Sequence, residues 1–262
     1  MSCPPLKITF LGTGTSSGVP MIGCDCEVCT FTDKIDKRLR SSILVESPHT
    51  RLVVDTGPDF RYQMLRQNVK KLDAVVFTHP HKAHLAGLDD IRAFNFFQRR
   101  PIDVYADSLT EEAVRRDFYY AFSDTKYPGL PELNLSTISE EPFMVGDIPV
   151  TPVPVWHLKM PVMGFRFGRF TYITDANRIE EESKDLIRGS EVLVLNALRK
   201  AKHISHFSLE EAIALAGEVK AGTTYFTHIS HQLGRHADIE NELPVGMHLG
   251  YDGLVLEFTG VN

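Results

Sequence analysis

The sequence predicts an α/β fold in which two sheets are sandwiched between helices, and three observations predict it. Short β-branched and aromatic runs recur in both halves of the chain, stretches with apolar residues at helical spacing separate them, and potential metal ligands stand where runs end. The clearest junction is Thr78-His79-Pro80-His81-Lys82-Ala83-His84, which follows the apolar run 72–77 and precedes the helical pattern of 85–96. His79 and His81 alternate, so an extended turn points both into one cleft, and His84 opens the helix. Neutral imidazole is the commonest metal ligand, and three within six residues seldom serve packing.

The remaining elements follow in order. Residues 7–11 alternate as a strand and run into the small-residue loop Gly12 to Gly18, where backbone can approach a ligand or a metal site closely. That loop lacks the Lys-Ser/Thr ending of a nucleoside-triphosphate loop and no helical pattern follows at once, so neither nucleotide reading holds. Residues 42–46 and 50–55 form a strand pair joined by Ser47-Pro48 and ending in Asp55-Thr56-Gly57. An amphipathic helix at 59–66 leads into the histidine cluster; beyond it come a strand at 101–106, a helix at 109–122 and a turn-rich loop at 123–132 flanking the cleft. Residues 150–157 read as a strand whose prolines place it at an edge, and 162–175 as a hairpin. A helix at 180–187, a strand at 192–196, a helix opened by the Ser208/Glu211 capping box, and strands at 223–228 and 253–258 close the chain. There is no repeat, low-complexity tract or obvious linker, which predicts one domain over 1–262.

Composition narrows the class. A net charge of -6 works against a general nucleic-acid surface, since neutralising phosphates takes clustered Lys and Arg. No apolar stretch reaches the roughly 18 residues of a membrane span, and the start of the chain lacks a secretory pattern, so a cytoplasmic protein is expected. Of four cysteines, Cys24, Cys26 and Cys29 crowd into six residues, and in a reducing compartment that spacing favours a metal site over a disulfide.

Later positions repeat the theme of the cluster: His157, Asp175 and His228 each end a strand pattern. With the Gly12 to Gly18 loop, Asp55-Thr56-Gly57 and the His79/His81/His84 cluster, in this order, the chain resembles the metallo-β-lactamase fold superfamily over nearly its whole length. It most resembles the phosphodiesterase branch with phosphoribosyl cyclic phosphodiesterase and, more distantly, tRNase Z. The resemblance implies an αββα sandwich. His79, His81 and His157 would bind one Zn2+ or Mn2+ ion, His84 and His228 a second, and Asp175 would bridge the two. It further implies a structural Zn2+ held by Cys24, Cys26, Cys29 and His231, a closed site of three thiolates and one imidazole. His206 would contact the scissile phosphate and give the leaving oxygen its proton, while Asp55 would orient a ligand histidine through its free ring nitrogen. Arg92 and Tyr127 are further candidates for substrate contact. The implied reaction is attack by metal-bound hydroxide on a small phosphodiester, cyclic phosphates included, with no nucleic-acid or membrane partner and room for a homodimer.

One position departs from the pattern. The family reads His-x-His-x-Asp-His, and Ala83 stands where the Asp belongs. In the resembling enzymes that carboxylate ligates the second metal, a task a methyl group cannot perform. Neighbouring Lys82 is a cation and no substitute, and Asp89 and Asp90 lie more than a helical turn away. Weak binding of two ions, a one-metal site, or a metal-binding sensor without turnover are the three outcomes; a tRNase Z-like endonuclease is the enzyme rival, disfavoured by the acidic balance and the lack of a basic inserted arm. Absence of a secretory signal and the Cys-rich loop disfavour a lactamase.

Overall fold

The computed structural model describes residues 3–123 and 128–260; Tyr127 and part of the predicted 123–132 loop lie outside them. Among the described residues there are two seven-stranded sheets. The first is built from β1 (Leu6–Gly12), β2 (Ser42–Glu46), β3 (Arg51–Val54), β4 (Ala74–Val76), β5 (Ile102–Ala106) and β6 (Leu133–Thr137). The second contains β7 (Phe143–Val145), β8 (Ile148–His157), β9 (Met160–Phe167), β10 (Phe170–Tyr172), β11 (Val192–Asn196), β12 (Thr223–Thr227) and β13 (Met247–Leu249), and β14 (Val255–Phe258) returns to pair with β1. The helices are α1 (Glu27–Thr30), α2 (Phe60–Arg66), α3 (Lys82–Leu85), α4 (Arg92–Gln98), α5 (Ser108–Asp117), α6 (Glu181–Ile187), α7 (Leu209–Val219) and α8 (His236–Glu240).

Both sheets follow one plan. Each begins with antiparallel neighbours and passes to parallel ones, at β3/β4 in the first and at β10/β11 in the second. Parallel strands need crossovers, and helices supply them on the outer faces. The alternation in β1, Ile8 and Phe10 one way and Leu11 the other, divides the core accordingly. Ile8, Phe10, Val45 and Val54 meet Val150, Phe165, Phe167 and Tyr172 between the sheets. Leu11, Val53 and Val75 pack under Phe60, Phe94 and Val114 of the helices over the first sheet, and Leu193 and Leu195 under Ala212 and Leu215 of α7 over the second. Three apolar layers between four layers of elements make the αββα sandwich.

Three sequence expectations change, the first being the helix at 109–122, which ends at Asp117 and gives way to a 3-10 turn at Tyr119–Phe122. The helix predicted at 85–96 is broken into α3, a 3-10 turn at Leu88–Ile91, and α4. Gly87 lies against the Asp55-Thr56-Gly57 turn, where an added Cβ would sit 2.2 Å from the Gly57 carbonyl oxygen, and its N–H donates to Thr56 O at 2.7 Å. The proline strand β8 is second from the edge rather than at it, but β7 covers only its first three residues, leaving Pro152 and Pro154 on an open side as their missing N–H groups require. The capping box of α7 is formed, Ser208 accepting from the Glu211 N–H and Glu211 from the Ser208 N–H. Ser208→Ala is expected to cost about 1 kcal/mol in chemical denaturation; an unchanged midpoint would show that α7 is held by packing alone.

Candidate metal centre

The ends of β3, β4, β8, β10 and β12 meet at one edge of the sandwich, so Asp55, His79, His81, His157, Asp175 and His228 converge although the chain separates them widely. Ligands at the carboxyl ends of strands are the general expectation for open α/β sheets. Asp55, Asp175 and His228 have positive φ of 66°, 53° and 55°. Non-glycine residues in that region are strained, and strain of this kind collects where a side chain must be aimed.

Asp175 is the hub. It is 3% exposed, and its Oδ2 lies 3.5 Å from His79 Nε2, 3.4 Å from His84 Nε2 and 3.5 Å from His206 Nε2. Its Oδ1 accepts a 2.8 Å bond from His228 Nδ1. Four nitrogens at about 2.0–2.1 Å from one tetrahedral ion would stand about 3.4 Å apart, so the three Oδ2 separations match ligands spread around a cation, whereas 2.8 Å is a hydrogen bond. Within 4.8 Å of one another lie the donors of three sets: His79, His84 and Asp175; His81, His157 and Asp175; and Asp175, His206 and His228. These sets divide the donors differently from the resemblance: His79 falls with His84, although its Nε2 also stands 3.1 Å from His81 Nδ1, and His206 joins the donors.

A relay behind the cluster fixes its tautomers. Asp55, fully buried, accepts from the Thr78 N–H at 2.9 Å, the Thr78 hydroxyl at 2.8 Å and His84 Nδ1 at 2.7 Å. Because Thr78 spends its proton on Asp55, its oxygen accepts from His79 Nδ1 at 2.8 Å. His157 Nδ1 donates to the Ser205 carbonyl at 2.7 Å. In each ring the bonded Nδ1 leaves Nε2 facing the cleft, which is how a metal-ligating histidine is prepared. His84 Nε2 and His206 Nε2 are buried and make no hydrogen bond. Such atoms are costly unless something binds them, so the residues present fit a divalent cation.

The electrostatics agree. Burial pushes His79 well below the usual histidine range, with the neighbouring His84 adding to the fall, and pushes His228 down to about 4 against the pull of Asp175. Burial also opposes charge on His84, yet the Asp175 and Asp55 carboxylates raise it to about 10. Asp175 is likewise disfavoured by burial, and the imidazoles of His228 and His84 hold it well below the usual carboxylate range. A divalent ion bound among these groups would offset the Asp175 charge directly.

The second predicted set is assembled as well. Cys24 Sγ and Cys26 Sγ lie 3.3 and 3.2 Å from His231 Nδ1, and these donors with Cys29 fall within 4.8 Å of one another. The His231 contact draws the Cys26 thiol down to about 6, while burial pushes Cys29 up to about 11. Cys24 and Cys26 precede α1, Cys29 lies within it and His231 follows β12, so this cluster ties the segment around α1 to the end of the strand that leads to His228.

Other predicted positions resolve plainly. The Gly12 to Gly18 loop packs on residues 38–41 rather than standing open, with Gly14 N–H on Leu39 O at 2.7 Å, and touches the cluster through Thr15 Oγ1, 3.2 Å from His228 Nε2. Lys82 pairs with Asp117, Asp89 accepts from Tyr120, and exposed Arg92 pairs with Asp89 at 3.1 Å. In the sequence Thr78 has no assigned role and His203 reads as a residue without a functional part. The second lies against His206, Nδ1 to Nδ1, at 3.2 Å, and only the fold of the 198–207 segment makes that contact meaningful. His81, His157, Lys159 and Ser205 line a cavity of about 370 Å3 that opens the cluster to solvent. A larger apolar groove, between α2 and α4, holds none of the clustered donors.

Comparison with known proteins agrees with this arrangement. The profile described as the beta-lactamase superfamily domain matches residues 50–229. An octanoyltransferase of Porphyromonas gingivalis is 36% identical over 95% of the chain, which spans about half, 51%, of that protein. Among solved structures, a diphosphatase from the PhnP family superposes with a TM-score of 0.91 at 40% identity, with 97% of each chain covered. The short form of human tRNase Z superposes with a TM-score of 0.68 at 19% identity, over 95% of this chain and 98% of that one, a likeness of fold.

Proposed function

The chain belongs to the metallo-β-lactamase superfamily of hydrolases, in its PhnP- and tRNase Z-like branch, and from that membership we propose a phosphodiesterase that works with Zn2+ or Mn2+ on small phosphodiesters, cyclic phosphates included. The observation that carries the reading is the convergence of His79, His84 and His206 Nε2 on one oxygen of Asp175, beside a cavity walled by His81 and His157. Divalent ions, when bound, offset charge on the phosphate oxygens and make water nucleophilic at neutral pH.

The protein's own groups set the rest. Asp55 and Thr78 hold His79 and His84 in one tautomer, and Ser205 does so for His157, so the donors need no reorganisation when substrate arrives. Lys159 at the cavity wall offers a charge for a phosphate. A cavity of about 370 Å3 suits a molecule of sugar-phosphate size, and the net charge of -6 disfavours a tRNA partner. His206 would protonate the leaving oxygen only with a proton on Nε2, the buried nitrogen that faces Asp175. The activity of the Porphyromonas gingivalis relative is not carried over, since the chain spans 51% of it. The Cys24, Cys26, Cys29 and His231 set would hold a structural Zn2+.

The test is turnover of bis(4-nitrophenyl) phosphate, a ribose cyclic phosphate and a tRNA precursor with Zn2+ or Mn2+, in the wild type and in Ala83→Asp. We expect the cyclic phosphate to be preferred and the variant to be faster by about tenfold or more, the scale on which metal-site partners act. Tight metal binding with no turnover in either protein would favour the sensor reading, and preferential cleavage of the tRNA precursor the endonuclease one.

A further inference from the structure

We propose that His206 is a metal ligand in this chain, completing with Asp175 and His228 the cation position that the resemblance would give to a carboxylate at residue 83. The inference rests on the metal-dependent reading above, and it changes the part played by His206 within it.

Three independent features of the ring point the same way. The first is its tautomer. The Ser205 N–H lies 3.4 Å from His203 Nδ1 and is directed at it, so that nitrogen is an acceptor. His206 Nδ1 stands 3.2 Å from the same atom and 3.1 Å from Ser205 Oγ, so a proton on His206 Nδ1 has an acceptor at either. The neutral His206 ring then carries its lone pair on Nε2. The second feature is where that lone pair points. Nε2 is buried, forms no hydrogen bond and stands 3.5 Å from Asp175 Oδ2, the edge length that tetrahedral coordination gives. His79 and His84 present Nε2 to the same oxygen at 3.5 and 3.4 Å, so His206 is placed as the other two are. The third feature is rigidity: the ring stacks on His228 at 4.9 Å with 14° between planes and meets His157 edge-on at 4.6 Å.

Position 83 supplies the need. Ala83 offers no donor atom, so the Asp175/His228 pair lacks the further ligand a carboxylate there would give. His206 supplies one out of the loop before α7. An imidazole bound through Nε2 has no proton there to release, so the leaving oxygen would draw its proton from water. His203 becomes a positioning residue, fixing the tautomer of His206 as Asp55 fixes that of His84.

The experiment is cobalt titration of the full chain, read by absorption and by ion content after dialysis, in the wild type, H206A, A83D and A83D/H206A. The thiolate band of the Cys24 cluster reports folding in each sample. We expect H206A to lose one ion, or to bind it about 100-fold more weakly, and the same substitution to cost less than tenfold in the A83D background, because a carboxylate then fills the position. His203→Ala is expected to weaken that ion about tenfold and His203→Asn, whose carbonyl can accept from Nδ1, to restore it. Should H206A fail to show the thiolate band, the His203 pair decides alone. Wild-type affinity in H206A, or an equal loss in both backgrounds, would overturn the assignment while leaving the hydrolase reading intact. A wild type that binds cobalt outside the cysteine cluster not at all would sink both, and one that binds two ions there without turnover would sink only the hydrolase.

Discussion

Asp175→Ala is expected to empty the histidine cluster of ions and to lower phosphodiester turnover by at least about 10³-fold, while the ion of the Cys24 cluster stays in place. The reason is that one carboxylate, 3% exposed, is shared by every donor set in the cleft. Three Nε2 atoms and one Nδ1 approach its two oxygens, and no other carboxylate among the described residues enters those sets. Removing it leaves several buried imidazoles with no anion to hold a dication among them, which forfeits both binding and the charge stabilisation worth about 10²–10³ per group at other sites. Asp175→Asn separates charge from shape: it should lose the ions as completely while keeping more of the metal-free stability. Ion content by elemental analysis is the check, and wild-type stoichiometry in the alanine variant would refute the hub assignment.

How far the sequence already contained this site can be judged residue by residue. His79, His81 and His84 stood out because three imidazoles within six residues have few packing uses. His157, Asp175 and His228 were visible only as single polar residues at strand ends, and the resemblance joined them; their convergence depends on crossovers that no local pattern records. The reversed φ at Asp55, Asp175 and His228 left no trace either, since composition does not mark a strained residue that tertiary contacts impose. Thr78 reads as an ordinary polar residue at the head of the histidine cluster until its hydroxyl is seen between Asp55 and His79. Among the elements, the long strands and α7 were legible from period and capping. The three-residue strands β7 and β13 and the five-residue α8 were not, because elements so short carry fewer than two repeats of their pattern. The break at Gly87 belongs with these: a glycine inside a helical pattern signals a possible close approach, but only the fold identifies the Gly57 carbonyl as its neighbour.

Cys26→Ser is expected to remove one Zn2+ per chain and to lower the melting temperature by about 10 °C in zinc-containing buffer. The cluster joins the loop around α1 to His231, two segments about 200 residues apart, as Cys26 Sγ and His231 Nδ1 at 3.2 Å record, with 205 positions between them. A cation held only by the folded chain stabilises it by roughly 4 kcal/mol when free metal stands about 1,000-fold above its dissociation constant. For a chain of this length each kcal/mol shifts the midpoint by about 2–4 °C. Cys26 is the informative thiol because the His231 contact draws it down to about 6, making it the readiest thiolate of the three, whereas burial keeps Cys29 protonated, up to about 11, until a metal displaces its proton. Loss of the link should also reach the catalytic cluster, since His231 lies three residues beyond His228 on the same turn, and weaken the neighbouring ion by a smaller factor. Calorimetry with and without a chelator separates the two effects: the variant's melting temperature should respond less to chelation than that of the wild type. Equal midpoints for the two proteins in zinc, together with equal zinc content, would mean that the thiols pack without a metal.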